Sequence, residues 1–233
     1  MSAAVGWVLT AWERGAPPHP VDRAVGLLAA LAGLSWAEAA AVDVGSRDGV
    51  LIEGLRELCS GPVRTVLTCG GCGETLQVPV DPRELPVSPW RAAGARFTVP
   101  VSGRSVEFRL PTSVDLRALT GPAADARFAL LSWCVPDLDL DAGQRALLVD
   151  AVERAMEEAA ESAALTVLVR CGECGAETEA AVDVGALLWA EVQAAAVALL
   201  QDVHVLAEAY GWTEPEILAL SPARRAVYLE LIG

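Results

Sequence analysis

Apolar residues recur at steps of three and four along most of this chain and alternate singly in only a few short stretches, so helices should dominate it. Residues 5–14 predict a short amphipathic helix, broken by Pro17-Pro18-His19-Pro20. A second helix follows over 21–31, with Pro20 just ahead of its first turn, where proline is tolerated. Ser35 with Glu38 has the spacing of a capping box, and Gly45 is expected to stop the short helix it opens. Residues 46–58 carry Leu51, Leu55 and Leu58 at helical spacing. Further on, 123–134 predicts a helix closed by Pro136, and 141–162 a long one with a polar face of Glu153, Glu157 and Glu158. The longest helix is expected over 184–210, striped by Leu188, Val192, Ala195, Leu199, Val203, Leu206 and Tyr210. Gly211 is its stop signal, Thr213 and Glu216 form a capping box, and Ser221-Pro222 opens a last helix.

Single alternation marks the hairpins. Residues 63–68 and 75–80 alternate around Cys69 and Cys72. A second pair, beginning at Leu165, surrounds Cys171 and Cys174, and both hairpins end on Val-Asp (Val80-Asp81 and Val182-Asp183). Between them, a proline-rich loop over 79–89 leads to a third hairpin, 97–100 with 105–110, turning at Ser102-Gly103. Thr112 or Ser113 then caps a short helix.

The repeated sentence is C-x-x-C-G after an apolar strand. Cys69, Cys72, Cys171 and Cys174 together offer four thiolates, the ligand set of a structural zinc site, and the glycine after each second cysteine permits the positive φ that wraps a metal. The long interval between the pairs is no obstacle, because loop-closure entropy grows slowly with length. A redox pair and ordinary buried thiols are the alternatives; a thioredoxin-like motif expects a βαβ context, whereas these cysteines sit in hairpins. With every position filled by cysteine the site is closed, so Zn2+ would be structural rather than catalytic. The fold expected is α+β and mostly helical. A four-cysteine zinc ribbon is built from two distant hairpins, with a hairpin and helices inserted between them. The divisions run 1–62 (helical), 63–82 (first knuckle), 83–164 (insertion), 165–183 (second knuckle) and 184–233 (C-terminal helices).

Other candidates carry less. Cys59 and Cys134 read as buried small hydrophobes. His19 is expected to be solvated. His204, beside the apolar stripe, is expected to be packed rather than a ligand or an acid–base group. Two histidines so placed make no nucleophilic triad, and no glycine-rich phosphate loop follows a strand. Tyr210, Trp212, Arg224, Arg225 and Tyr228 are residue types that anchor interfaces, which makes them a candidate partner surface; alternatively, Trp212 and Tyr228 close the core.

Composition narrows the partners. Hydrophobic residues make up 53% of 233, and mean hydropathy is +0.39. The best uninterrupted apolar runs, 25–37 and 192–200, fall short of the ~20 residues of a membrane helix, and no secretory leader is apparent. Such a chain is expected to hide surface against protein partners. Net charge is −14, with arginine as its only lysine-or-arginine cation; lysine and asparagine are absent, as a GC-rich genome would produce. That acidity argues against a nucleic-acid backbone as ligand. Six cysteines without a leader suggest a reducing cytosol.

The run His204-x-Leu206-Ala207-x-x-Tyr210-Gly211-Trp212-x-x-x-Glu216-Ile217-Leu218-x-Leu220-Ser221-Pro222-x-Arg224-Arg225-x-x-Tyr228-Leu229-x-Leu231-Ile232 resembles the C-terminal signature of a family of small phage baseplate proteins. That family accompanies contractile tails and phage-tail-like extracellular contractile injection systems. It also carries two C-x-x-C knuckles around an insert. Its Gly-x-Arg-Asp segment is similar to Gly45-Ser46-Arg47-Asp48, and its LPTSxDL stretch to Leu110-Pro111-Thr112-Ser113-Val114-Asp115-Leu116. The resemblance covers most of the chain from about residue 42 onward, and departs from the family where proline after the first cysteine becomes Gly70 and Gly172. It implies a non-catalytic baseplate or hub component, lasting or a transient assembly chaperone. Its partners would be baseplate or hub proteins, with no membrane and no small-molecule substrate, and assembly would take place in the cytoplasm. A zinc-ribbon regulator binding nucleic acid and a dithiol redox enzyme are the rival classes.

Overall fold

The computed structural model describes residues 3–15, 17–101, 103–136 and 142–232. In chain order the elements are α1 (Ala3–Glu13), α2 (Pro20–Ala32), α3 (Trp36–Ala41), α4 (Val44–Leu58), β1 (Val63–Thr68), β2 (Thr75–Val80), β3 (Arg96–Val101) and β4 (Arg104–Arg109). They continue with α5 (Ser113–Ala118), α6 (Ala123–Cys134), α7 (Ala142–Ala159), a 3-10 turn (Glu161–Ala163), β5 (Thr166–Arg170), β6 (Glu177–Ala181), α8 (Val184–Tyr210), α9 (Glu214–Ala219) and α10 (Pro222–Glu230). The fold is α+β. The strands form three separate antiparallel hairpins, β1–β2, β3–β4 and β5–β6. Ser102 and Asp141, expected in a turn and at a helix start, lie outside the described residues; Gly103 does adopt the positive φ (81°) of a turn.

A helical core comes first. The apolar stripes of α1, α2, α4 and α8 meet, burying Leu27, Leu28, Leu51, Ile52, Leu55, Leu188 and Val192. α8 is 27 residues long with a window of mean hydropathy 1.5, which is long and apolar enough to cross a membrane. Reading only uninterrupted runs missed this, because Glu191 and Gln193 break the run without breaking the stripe. Here Leu188, Val192, Ala196 and Leu199 are buried, on a helix that packs against α1, α2 and α4. A second core lies in the insertion, where Phe108, Leu110, Leu131, Val135, Leu148 and Val152 pack among β3–β4, α6 and α7.

Two expected boundaries move. Gly45 does not stop α3, which ends at Ala41; Asp43 caps α4 by accepting from Ser46 N at 2.9 Å, and Gly45 sits in its first turn. A Cβ on Gly45 would stand 2.7 Å from Ala160 Cβ, so this glycine serves a close crossing of chains. α7 ends at Ala159 rather than at residue 162. Arg91 Nη2 donates to the Ala159 carbonyl at 2.5 Å, and Ser162 Oγ donates to the Gly45 carbonyl at 2.6 Å, which draws the chain into the 3-10 turn.

The two cores are joined through buried polar groups. Segments 45–48 and 110–116 meet there. Val44 N donates to Pro111 O at 2.9 Å, Asp43 and Thr112 form an isolated bridge, and Arg47 Nη1 donates to Ser113 Oγ at 2.9 Å. Arg47, 7% exposed, also holds Asp48 through Nε (2.6 Å) and Nη2 (3.0 Å). Nearby, the Asp115 carboxylate accepts from both terminal nitrogens of Arg109 (2.6 and 2.8 Å) and from Thr112 N and Oγ1 (2.7 and 2.8 Å).

Burial alone pushes Asp115 up, but the Arg109 and Thr112 donors outweigh it and hold its carboxyl below the usual range. A depressed folded pKa stabilises the protein above the unfolded value of about 3.9, and that stabilisation is lost as pH falls through the lower folded value. Asp115→Asn should therefore cost on the order of 2 kcal/mol at pH 7 and flatten the acid limb of thermal stability below about pH 4. Melts across that range check it; an unchanged acid limb in the variant would show that the carboxylate is not responsible.

Candidate metal centre

Each C-x-x-C turn is built alike. In the first, Cys69 N donates to Glu74 O (2.8 Å) and Gly73 N to Cys69 O (3.0 Å). In the second, Cys171 N donates to Ala176 O (2.9 Å) and Gly175 N to Cys171 O (3.0 Å). Gly73 and Gly175 take φ of 77° and 72°, the left-handed conformation expected of them. In each knuckle the first cysteine is buried (Cys69 2% exposed, Cys171 1%) and the second is exposed.

The fold brings the two knuckles face to face. Cys69 Sγ lies 3.6 Å from Cys174 Sγ and Cys72 Sγ 3.7 Å from Cys171 Sγ, so both contacts cross between knuckles. All four sulfurs fall within 4.8 Å of one another. A tetrahedron with metal–sulfur bonds of 2.3 Å has edges of about 3.8 Å, so the quartet is close enough to hold one ion, with modest tightening of its longest edge. The cysteines are free thiols. The Cys69 thiol is drawn down to about 6 by the backbone N–H groups of Cys72 and Gly71. Cys72 feels a Glu74 N–H that would lower it, yet the surrounding thiols of Cys174, Cys69 and Cys171 push it up to about 12. The turn thus favours a thiolate at Cys69, while the neighbouring thiols disfavour one at Cys72.

A further link spans the knuckles. Thr178, on β6, accepts from Gly70 N at 3.2 Å and reaches Cys69 Sγ at 3.9 Å. Proline at position 70 would delete that donor, which any other residue retains. Gly71 faces the other knuckle: a Cβ would lie 2.9 Å from Ala176 Cβ and 3.3 Å from Cys174 Sγ, whereas Gly172 has open space. Gly71→Ala is accordingly expected to weaken metal binding about tenfold or more, the range seen when the support of a ligand set is disturbed, with Gly172→Ala near wild type. Competition against a chromophoric chelator measures both; equal affinities for the two variants would contradict the close approach.

The remaining candidates are placed as follows. Tyr210 stacks on Trp212 (centroids 4.6 Å apart), and Tyr228 meets Trp212 edge-on at 4.8 Å, forming a half-exposed aromatic cluster between α8 and α10. Arg224 is exposed, but Arg225 is 6% exposed, so it offers little surface to a partner. Arg225 Nε lies 3.5 Å from Asp202 Oδ2, an ion-pair distance whose geometry makes no hydrogen bond. His204 is exposed beside Glu208 (3.9 Å) and is not packed, because it falls on the solvent side of α8. His19 is half-buried rather than solvated, since its Nδ1 caps α2 by accepting from Val21 N at 3.2 Å. Cys134 is fully buried and Cys59 half-buried. Burial pushes both thiols up to about 11, with Glu191 adding to the effect at Cys59, which makes them poor nucleophiles at neutral pH. The Arg47–Asp48–Ser113 junction went unassigned in the sequence. Its signal was present: Arg47 and Asp48 stand one turn ahead of Leu51 and Ile52, on the buried stripe of α4.

Fold and site together define an α+β protein in which two distant hairpins converge on a four-cysteine cluster able to hold a metal ion. No protein-family model, curated protein or solved structure matches the chain.

Proposed function

We propose that this protein is a zinc-clasped, non-catalytic component of a contractile-tail or injection-system baseplate, either as a lasting subunit or as an assembly factor. The observation that carries the structural part is the four-thiol cluster, with cross-knuckle contacts of 3.6 and 3.7 Å. Four protein ligands leave no open position for water or substrate, so the ion ties residues near 70 to residues near 172. Zn2+ is the ion we propose; tetrathiolate geometry also suits iron, and elemental analysis of chelator-free protein separates the two. The baseplate assignment rests on the resemblance of the C-terminal run, of the paired knuckles and of segments 45–48 and 110–116.

The partner test is retention of tagged protein on purified contractile particles. Retention identifies a lasting subunit. Binding to a hub protein in lysate, with absence from particles, identifies an assembly chaperone. Binding to neither ends the baseplate reading, and a salt-sensitive shift of duplex DNA would replace it with a nucleic-acid regulator.

A further inference from the structure

A sizeable cavity lies away from the cysteines. It is a groove of about 480 Å³ alongside α6 and α7. Leu130, Leu131, Met156 and Ala160 line it, together with Val44 and Pro111 from the junction of the two cores. Arg127 on α6 pairs with Glu153 on α7 at its rim, and Glu157 stands beside them. Asp150 lies 3.9 Å from Arg127. Among the described lining residues the rim therefore sets one guanidinium, Arg127, against two carboxylates, Glu153 and Glu157, in a chain whose net charge is already −14.

Two features decide what the groove accepts. Small-molecule sites use convergent polar groups to orient a ligand. Here the charged groups sit at the rim, where Arg127 is already paired with Glu153, while the remaining lining is apolar. A groove along helices with an apolar lining is the arrangement that receives the apolar face of an amphipathic helix. The excess of carboxylate selects the flanks of that helix. We propose that this groove binds an amphipathic helix of a partner protein whose apolar side chains enter the groove and whose flanks carry arginine or lysine. The inference stands apart from the metal and from the baseplate assignment.

The test uses the full-length protein and two labelled synthetic helical peptides with the same leucine face, one with lysine and arginine flanks, the other with glutamate flanks. Fluorescence anisotropy should show the basic peptide binding about tenfold or more tightly than the acidic one, with the preference shrinking as salt is raised. Glu157→Lys, a change at an exposed position, should erase that preference while leaving the melting temperature near wild type. Leu130→Glu should abolish binding of the basic peptide, and its own melt shows whether it is folded. Saturable binding of neither peptide, equal binding of both, or a preference untouched by Glu157→Lys would each overturn the proposal. So would capture of a fatty acid without either peptide.

Discussion

Cys171→Ser is expected to remove the bound metal and, with it, all dependence of stability on free zinc. Cys171 is the buried member of the second knuckle, 3.7 Å from Cys72 across the cluster. Serine keeps the size but loses the thiolate, so three ligands remain and the tetrahedron opens. A metal that binds only the folded chain stabilises it by about 4 kcal/mol at a thousandfold excess over its Kd. In a chain of this size that corresponds to a melting-temperature shift on the order of 10 °C. Wild type should show the shift between chelator and zinc; the variant should show none, and its metal content should fall from one ion per chain to near zero. Most of the helical core lies outside the clasp, where α1, α2, α4 and α8 meet through their own stripes, although Val63, Val80 and Leu165 reach it from the hairpin segments. Helical circular dichroism should therefore largely survive, while amide exchange accelerates in β1, β2, β5 and β6. Wild-type protein purified without metal, unshifted by zinc and carrying reactive thiols, would sink the clasp and favour dithiol redox chemistry.

Arg47→Met should be the most damaging single change outside the cysteines. It removes both donors to Asp48 and the bond to Ser113, and leaves a carboxylate buried without its cation. Breaking a buried pair in this way costs about 3–5 kcal/mol. The loss has a pH signature. Burial already raises the Asp48 pKa, Arg47 opposes the rise, and Asp183 and Asp43 add to it. Without Arg47 the folded pKa rises further. A carboxyl whose folded pKa is raised favours folding while protonated and loses that contribution as pH increases through the folded value. The deficit of Arg47→Met relative to wild type should thus grow as pH rises above the ordinary carboxylate pKa of about 3.9. Adding Asp48→Leu should recover much of it, since an apolar pair can replace a buried ion pair at little net cost. A double variant as unstable as the single one would place the junction's worth elsewhere, in the bridge between Asp43 and Thr112.

How much was legible beforehand follows the range of the signals. The spans 63–68, 75–80, 123–134 and 184–210 appear in the structure as read, because alternation, helical stripes, Pro136 and Gly211 act within a few residues of the boundaries they set. The capping boxes at Ser35 and Thr213 form for the same reason. The metal quartet was legible through repetition, since a turn that presents two thiols is specified by its own six or so residues.

What the sequence by itself determined was thus local: which segments are helices, which are hairpins, and which four thiols are presented in wrapping turns. Only the tertiary structure decided that the knuckles meet with Cys69 against Cys174, and that Gly45 and Gly71 are glycines because another chain segment crosses there. It also turned Arg225 inward and His204 outward, and put Arg47 and Asp48 at the junction of two cores. The physical reason is common to all of these. A side chain's burial, its partner and the space at its Cβ are set largely by residues about 20 to 115 positions away, and no local propensity encodes which of them will arrive.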